Sequence, residues 1–402
     1  MLLAEKVTLR GGLRLGTSML RVAAYKTLEK YAEPRAKTWR DVPSSPAKFN
    51  LDWLNDVLCR DVPGACVESF DFGRTSSGAT DRQALTLHYN DAGVRAGLPP
   101  AVFCKYSNSL QQRLWLGNSE LMQHEVEFYR AMRSELDIET PKSYHVAYHP
   151  RGWQSVVMLE DLGATKGATF CATTMPMTLD LMKDILGELA KFHGHYWNDP
   201  RLDREFTWLR TPLQLFQRFC ETFSFRKQVF VGLERADHVV PDALKGINDQ
   251  LWLAYGRSCE QSNRNPPRTL LHGDPHIGNC YLTAQGKMGI NDWQVCMKGN
   301  WAWDVTYLLL TALPIEDRRN WERELLSHYR ERLAAFGGQP GTFDELWQDY
   351  RRHTLHALMG WLVTIGAGGV QPKQQQVDKV SLDVIQRAAA AMVDLESIAC
   401  LT

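Results

Sequence analysis

His272, Asp274, His276 and Asn279 fall within eight residues, in the stretch LLHGDPHIGN at 270–279. Metal ligation, phosphoryl transfer or an ordinary polar turn could each bring such residues together. Zinc is disfavoured. His272 and His276 are four apart, as on a helix face, but Gly273 and Pro275 forbid a regular helix through them, and the helical glutamate of an H-E-x-x-H site is missing. Beyond Asn279, the run CYLTAQGKMGINDWQ reads as a hairpin: strand CYL, a turn at Gln285 and Gly286, and strand MGIN delivering Asp292. Asp274, Asn279 and Asp292 would then converge at one edge. Kinase chemistry uses such a set, with one Asp accepting a hydroxyl proton while an Asn and a second Asp hold magnesium. Hard oxygen ligands suit that ion.

That chemistry makes a demand upstream: a strand lysine for the nucleotide phosphates and a helix glutamate to hold it. Lys105 ends the strand-like run AVFCK, and Glu125 lies in NSELMQHEVEFYRAMRS at 118–134, the only helix expected in that part of the chain, with Glu127 as a nearby competitor. The runs CVESFDFG, RQALTLHY and AVFCKYS, then YHVAYH and SVVMLEDL, are rich in branched and aromatic residues and bounded by Gly, Asn and Pro, so they read as a meander of antiparallel strands. Beyond Gly163 the pattern becomes helical. In TLDLMKDILGELAKFHGHYW, Leu179, Met182, Ile185, Leu186, Leu189 and Phe192 form one stripe of a core helix.

The chain has 402 residues, more than the ~250–300 that one core usually supports, so two lobes are expected. Lys plus Arg and Asp plus Glu both number 46, so no global field draws it to nucleic acid or to a membrane. Nine cysteines without a C-x-x-C pair suit reduced thiols in a cytoplasmic protein. The longest apolar run, VTYLLLTALPI at 305–315, falls short of the ~20 residues that cross a bilayer, so no stable membrane insertion is expected. Residues 1–31 carry six Lys or Arg against Glu5 and Glu29. Within them, TSMLRVAAYKTLEKYAE reads as an amphipathic helix capped by Thr17 or Ser18, packed on the first lobe or on a second subunit; an organelle transit peptide is the alternative. DVPSSPAKFN at 41–50 is a break, and QPKQQQ at 371–376 a low-complexity linker.

Strand Lys, helix Glu, hinge, Asp, Asn and second Asp occur in the order of a kinase, and the sequence resembles the aminoglycoside phosphotransferase and choline kinase superfamily. That superfamily has H-G-D, with an Asn five residues after the Asp, where protein kinases have H-R-D. LEDL at 159–162, LAKFHGHYW at 189–197 and NDWQ at 291–294 are similar to its ecdysteroid-kinase-like branch. The resemblance runs from about residue 66 to residue 311. It implies an α+β, protein-kinase-like bilobal fold with a small antiparallel β-rich N-lobe, one key helix, and a larger mostly α-helical C-lobe. The expected divisions are an N-terminal helical extension at 1–43, a nucleotide-binding N-lobe at 44–162 and a catalytic, substrate-binding C-lobe at 163–402.

The resemblance implies ATP and Mg2+ as cofactors, Asp274 as catalytic base, Asn279 and Asp292 as metal ligands, and Lys105 with Glu125 as the phosphate-holding pair. It makes Asp304 a structural carboxylate, His272 a scaffold residue, and Glu160 to Leu162 the adenine edge. The loop FGRTSSGATDRQ departs from the pattern by lacking G-x-G-x-x-G, so Ser76, Ser77 and Gly78 would have to meet the phosphates. His276 reads as a loop histidine satisfied by backbone, with ligand contact as the alternative. The implied partner is a small-molecule hydroxyl acceptor, bound by a monomer or homodimer. Phe206, Trp208, Phe216, Phe219, Phe223, Phe225 and Phe230 lie in one aromatic-rich segment without an acidic cluster. They favour an apolar or amphipathic alcohol if they line the acceptor cleft, and are plain core if they do not. Antibiotic phosphotransferase and ATP-binding pseudokinase are the rival functions.

Overall fold

The computed structural model describes residues 3–32, 34–264, 267–367 and 378–401; the linker expected at 371–376 lies outside the described residues. A five-stranded antiparallel sheet forms the first lobe, from β1 (Val67–Ser77), β2 (Asp81–Tyr89), β3 (Ala101–Tyr106), β4 (Ser143–His149) and β5 (Gln154–Glu160). Its order is β1-β2-β3-β5-β4, so β5 intervenes where a plain meander would place β4. The β4–β5 hairpin pairs through its second strand because β5 is apolar on both faces. Val156 and Met158 enter the core under the sheet, while Val157 and Leu159 join that of the second lobe.

Five helices accompany this sheet: α1 (Leu9–Ala32), α2 (Leu51–Leu58), α3 (Asp91–Arg95), α4 (Leu110–Asn118) and α5 (Leu121–Glu127). The expectation of a single helix therefore fails. The missed α4 opens with Ser109 and Gln112 in a capping box, a signal present in SLQQ. Glu120, at φ 67°, separates it from α5, and Arg210 and Arg218 of the second lobe hold its carboxylate. The helix expected at 118–134 is thus shorter, and continues as a π-helical turn at Phe128–Met132. Against the sheet's outer face, α2 packs Trp53, Leu54 and Leu58 on Val67, Leu85, Leu87 and Val102.

Helix α1 begins earlier than expected. Thr8 accepts the Gly11 N–H at 3.0 Å as its cap, whereas the hydroxyls of Thr17 and Ser18 donate to carbonyls four residues back, inside the helix. It packs on both lobes. Near its C-terminus Glu29 makes a buried bidentate pair with Arg113 of α4, one arm at 2.9 Å. Near its N-terminus Thr8 N–H donates to Glu221 O, and a Cβ on Gly11 would lie 1.9 Å from that same carbonyl oxygen.

The second lobe is mostly helical: α6 (Leu162–Lys166), α7 (Leu179–His195), α8 (Arg201–Arg204), α9 (Pro212–Phe223), α10 (Phe225–Ala236), α11 (Asn248–Arg264), α12 (Ala302–Ala312), α13 (Ile315–Ala335), α14 (Phe343–Arg352), α15 (Thr354–Ile365) and α16 (Asp378–Asp394). The apolar stripe read in the sequence is buried along α7 from Met182 onward, while Leu179 in the first turn is half-buried. Short strands frame the site: β6 (Thr169–Phe170), β7 (Thr269–Leu271), β8 (Cys280–Leu282), β9 (Met288–Ile290) and β10 (Met297–Gly299). β8 and β9 form the expected hairpin and β7 pairs with β10, so the loop at 272–279 and Asp292 emerge side by side. Among the described residues no helix is long and apolar enough to cross a membrane.

Candidate active site

Strand alternation sets the upper half of the site. Val102 and Cys104 of β3 point into the core beneath α2, which leaves Phe103 and Lys105 facing the cleft. Lys105 is 5% exposed, and its ammonium lies 2.5 Å from Glu125 Oε1 and 3.0 Å from Asp292 Oδ1. Glu127 is turned away to Arg130. Asp292 has φ 69°, a left-handed conformation that aspartate tolerates better than most residues. Trp293 next to it stacks on Phe128 at 3.9 Å and meets His272 at 4.7 Å, and its indole N–H donates to Thr140.

One cation here was not foreseen. Arg82 stands opposite Lys105 in the β2–β3 register, and its guanidinium is 3.6 Å from Asp292 Oδ2. Burial alone would raise the Asp292 carboxyl, but Lys105 and Arg82 outweigh it and hold the group well below the usual carboxylate range. Burial pushes Glu125 up, opposed by Lys105.

The lower half is a loop pinned from beneath. Both oxygens of fully buried Asp304 accept backbone N–H groups, from His272 at 2.6 Å and Gly273 at 2.9 Å, and His193 adds a third contact at 3.2 Å. Gly273 sits at φ 83°, and a Cβ there would lie 2.1 Å from Val295 O, so only glycine fits. His272 Nδ1 accepts the Asp274 N–H while Nε2 donates to Asn291 O; burial lowers its pKa to about 4, keeping it neutral. The scaffold roles of Asp304 and His272 match these contacts.

Asp274 opens onto the cleft. The Asn279 amide donates to Asp274 O at 2.8 Å, which leaves the Asn279 carbonyl oxygen as the atom offered outward. His276 Nδ1 accepts the Gly278 N–H, so backbone satisfies it as expected, and its Nε2 is also 3.9 Å from Asp274 Oδ2. Tyr307 of α12 lines the same cavity as Asp274, and its hydroxyl favours the ionised carboxylate. Burial pushes the Asp274 carboxyl above its ordinary value, with His276, Tyr307 and Asn279 pulling the other way. Together, the Asn279 oxygen and the Asp292 carboxylate, already drawing two cations, form an oxygen donor set that fits a hard divalent ion.

A cavity of roughly 630 Å³ joins these groups. One end is lined by Ser76, Gly78, Phe103, Leu159, Glu160 and Leu162. Ser77 is not in the lining; its hydroxyl bonds Asp81 at 2.5 Å across the turn, and the loop at 78–80 is the tip of the β1–β2 hairpin. The other end is lined by Trp115, Leu215, Phe216, Phe219, Phe225 and Trp361. Of the aromatic-rich segment, Phe216, Phe219 and Phe225 face this cavity while Phe206 and Trp208 pack elsewhere.

Tyr307 had a usable signal, since it follows Asp304 by one turn on a helix already anchored beneath the loop. Arg82 and Trp361 had none: one depends on hairpin register, the other on a helix that follows the loop by some eighty residues.

No curated protein matches the sequence. Among solved structures, the chain is similar to an ethanolamine kinase from Plasmodium vivax, with TM-score 0.49 and 12% identity, covering 94% of this chain and 95% of that one. It is similar to choline kinase LicA from Streptococcus pneumoniae, with TM-score 0.45 and 12% identity over 82% and 94% of the two chains. A macrolide 2'-phosphotransferase from Brachybacterium faecium gives TM-score 0.43 and 13% identity over 82% and 93%. The sequence model of the phosphotransferase enzyme family matches residues 116–356, beginning and ending later than the resemblance read at 66–311 and taking in Glu125, Asp274, Asn279, Asp292 and Asp304. With more than half of its length matched, the chain belongs to the phosphotransferase enzyme family.

Proposed function

We propose that the protein is an ATP-dependent, magnesium-using small-molecule kinase that phosphorylates a hydroxyl of an apolar or amphipathic acceptor. The observation that carries this reading is one cavity that has Lys105, Arg82, Asn279 and Asp292 in its lining together with aromatic walls, and that also holds Asp274, whose carboxylate lies 3.4 Å from the Asn279 amide and 3.9 Å from the His276 ring. Asp274 orients the acceptor hydroxyl and takes its proton. Lys105, braced by Glu125, and Arg82 neutralise charge on the phosphates. Asn279 and Asp292 would hold magnesium, which would supply further neutralisation of phosphate charge. Backbone at Glu160 to Leu162 meets the adenine, and Ser76 and Gly78 approach the phosphates from the hairpin tip.

The acidic residues lining the cavity are Glu160, Asp274 and Asp292, each at the nucleotide, base or metal position. A polycationic acceptor would find no counter-charge at the aromatic end, which favours an apolar alcohol over an aminoglycoside. Nine free cysteines fit a reducing, cytoplasmic setting.

The test is incubation with magnesium-ATP and metabolite extracts, scoring compounds that gain one phosphoryl group, with Asp274→Ala as control. Stoichiometric ATP binding with no transfer to any alcohol would replace the kinase reading by that of a nucleotide-binding scaffold.

A further inference from the structure

Helix α1 turns an apolar face to solvent. Leu9 is 83% and Leu20 77% exposed, and Leu13, Met19, Leu28 and Tyr31 are also exposed; no other element among the described residues exposes more than one large apolar side chain. At 3.6 residues per turn, Leu9, Leu13, Leu20 and Tyr31 share an arc of about 40°. The buried Gly11, Ser18, Val22 and Glu29 occupy the opposite side, packed on the two lobes. The outward stripe is therefore a second apolar face on a helix that has already satisfied its first, and it runs the whole 24-residue length.

The exposed charges of α1 itself have one sign, while exposed Glu5 lies beside Lys6 just before it. The single acid of α1, Glu29, is buried against Arg113, whereas Arg10 and Lys30 are exposed at its two ends and Lys6 just precedes it. An anionic surface complements every exposed charge of the helix. An apolar stripe flanked by cations, too short of apolar residues to cross a bilayer, is the pattern of a helix lying in a membrane interface.

We propose that α1 docks the protein on anionic lipid membranes, with Leu9, Leu13, Leu20 and Tyr31 in the acyl boundary and Lys6, Arg10 and Lys30 at the headgroups. The helix beneath it, α9, carries Leu215, Phe216 and Phe219 of the aromatic cavity wall, and α4 carries Trp115. Docking thus brings that wall close to the lipid surface.

Co-sedimentation of the full chain with phosphatidylcholine vesicles, with and without phosphatidylserine, tests this in the absence of nucleotide and alcohol, so the outcome is separate from that of the phosphorylation assay. Binding should be about tenfold or more stronger to the serine-containing vesicles and should weaken with salt. The double variant Leu13→Glu, Leu20→Glu should lose it while keeping its helical circular dichroism and its magnesium-ATP affinity. Equal binding of variant and parent overturns the proposal, as does absence of vesicle binding. A dimer in light scattering that the double variant dissociates would likewise overturn it, assigning the face to a second copy instead.

Discussion

Arg82 and Lys105 face each other across the β2–β3 pair, and each addresses a different oxygen of Asp292. Two neighbouring strands thus place two cations on one carboxylate, at the point where the chain lacks the glycine-rich phosphate loop of other kinases. On the proposed function, the hairpin tip would offer phosphate a serine and backbone, and Arg82 the charge.

Replacing Arg82 with Ala should therefore weaken magnesium-ATP binding by about tenfold, the value of one charge-assisted contact to phosphate. Calorimetric titration with a non-hydrolysable ATP analogue measures it. An unchanged affinity would remove Arg82 from the phosphate site.

Asp274 and Asp292 should separate cleanly in kinetics. Asp274→Asn is expected to lower kcat by ~100-fold or more with nucleotide affinity retained, because base and positioning are lost together. Asp292→Asn should instead raise the magnesium concentration needed for half-maximal nucleotide binding. If both variants turn over normally, the assignment of base and ligand is wrong.

The raised Asp274 carboxyl has a definite sign in a pH profile. The base works only when deprotonated, so kcat/KM should fall as pH drops through a value above the ordinary carboxylate pKa of about 4. Tyr307→Phe removes a donor to the charged form and should move that acid limb up by about one pH unit. A limb that stays in place would show that Tyr307 does not bond the ionised base.

Glu29→Gln leaves fully buried Arg113 with an unmatched charge. The expected cost is about 3 kcal/mol of stability, read as a lower urea midpoint with an unchanged slope. A midpoint within error of the parent would place the pair at the surface.

The chemistry was legible in the sequence because it is local. Asp274, Asn279 and Asp292 lie within one loop and hairpin whose turn residues announce themselves, Lys105 ends a recognisable strand-like run, and Glu125 lies in a segment with helical spacing. What escaped depends on distance. The position of β5 between β3 and β4 follows from a strand apolar on both faces, which periodicity alone does not distinguish from a buried helix segment. Arg82 reaches the site through register, and Trp361 and His356 through the packing of α15. Helix α4 was missed although its capping box was present, because the apolar pattern behind it is short. The start of α1 was misplaced because Thr17 and Ser18 look like caps but bond backward within the helix.

Helix α1 is riveted near one end to Glu221 and near the other to Arg113, on opposite sides of the cleft. A straight rod with two fixed attachments works as a strut: the jaws cannot part without shearing one rivet or bending the rod. The gape available to an incoming molecule is therefore set by the length of a segment that touches none of the reacting atoms.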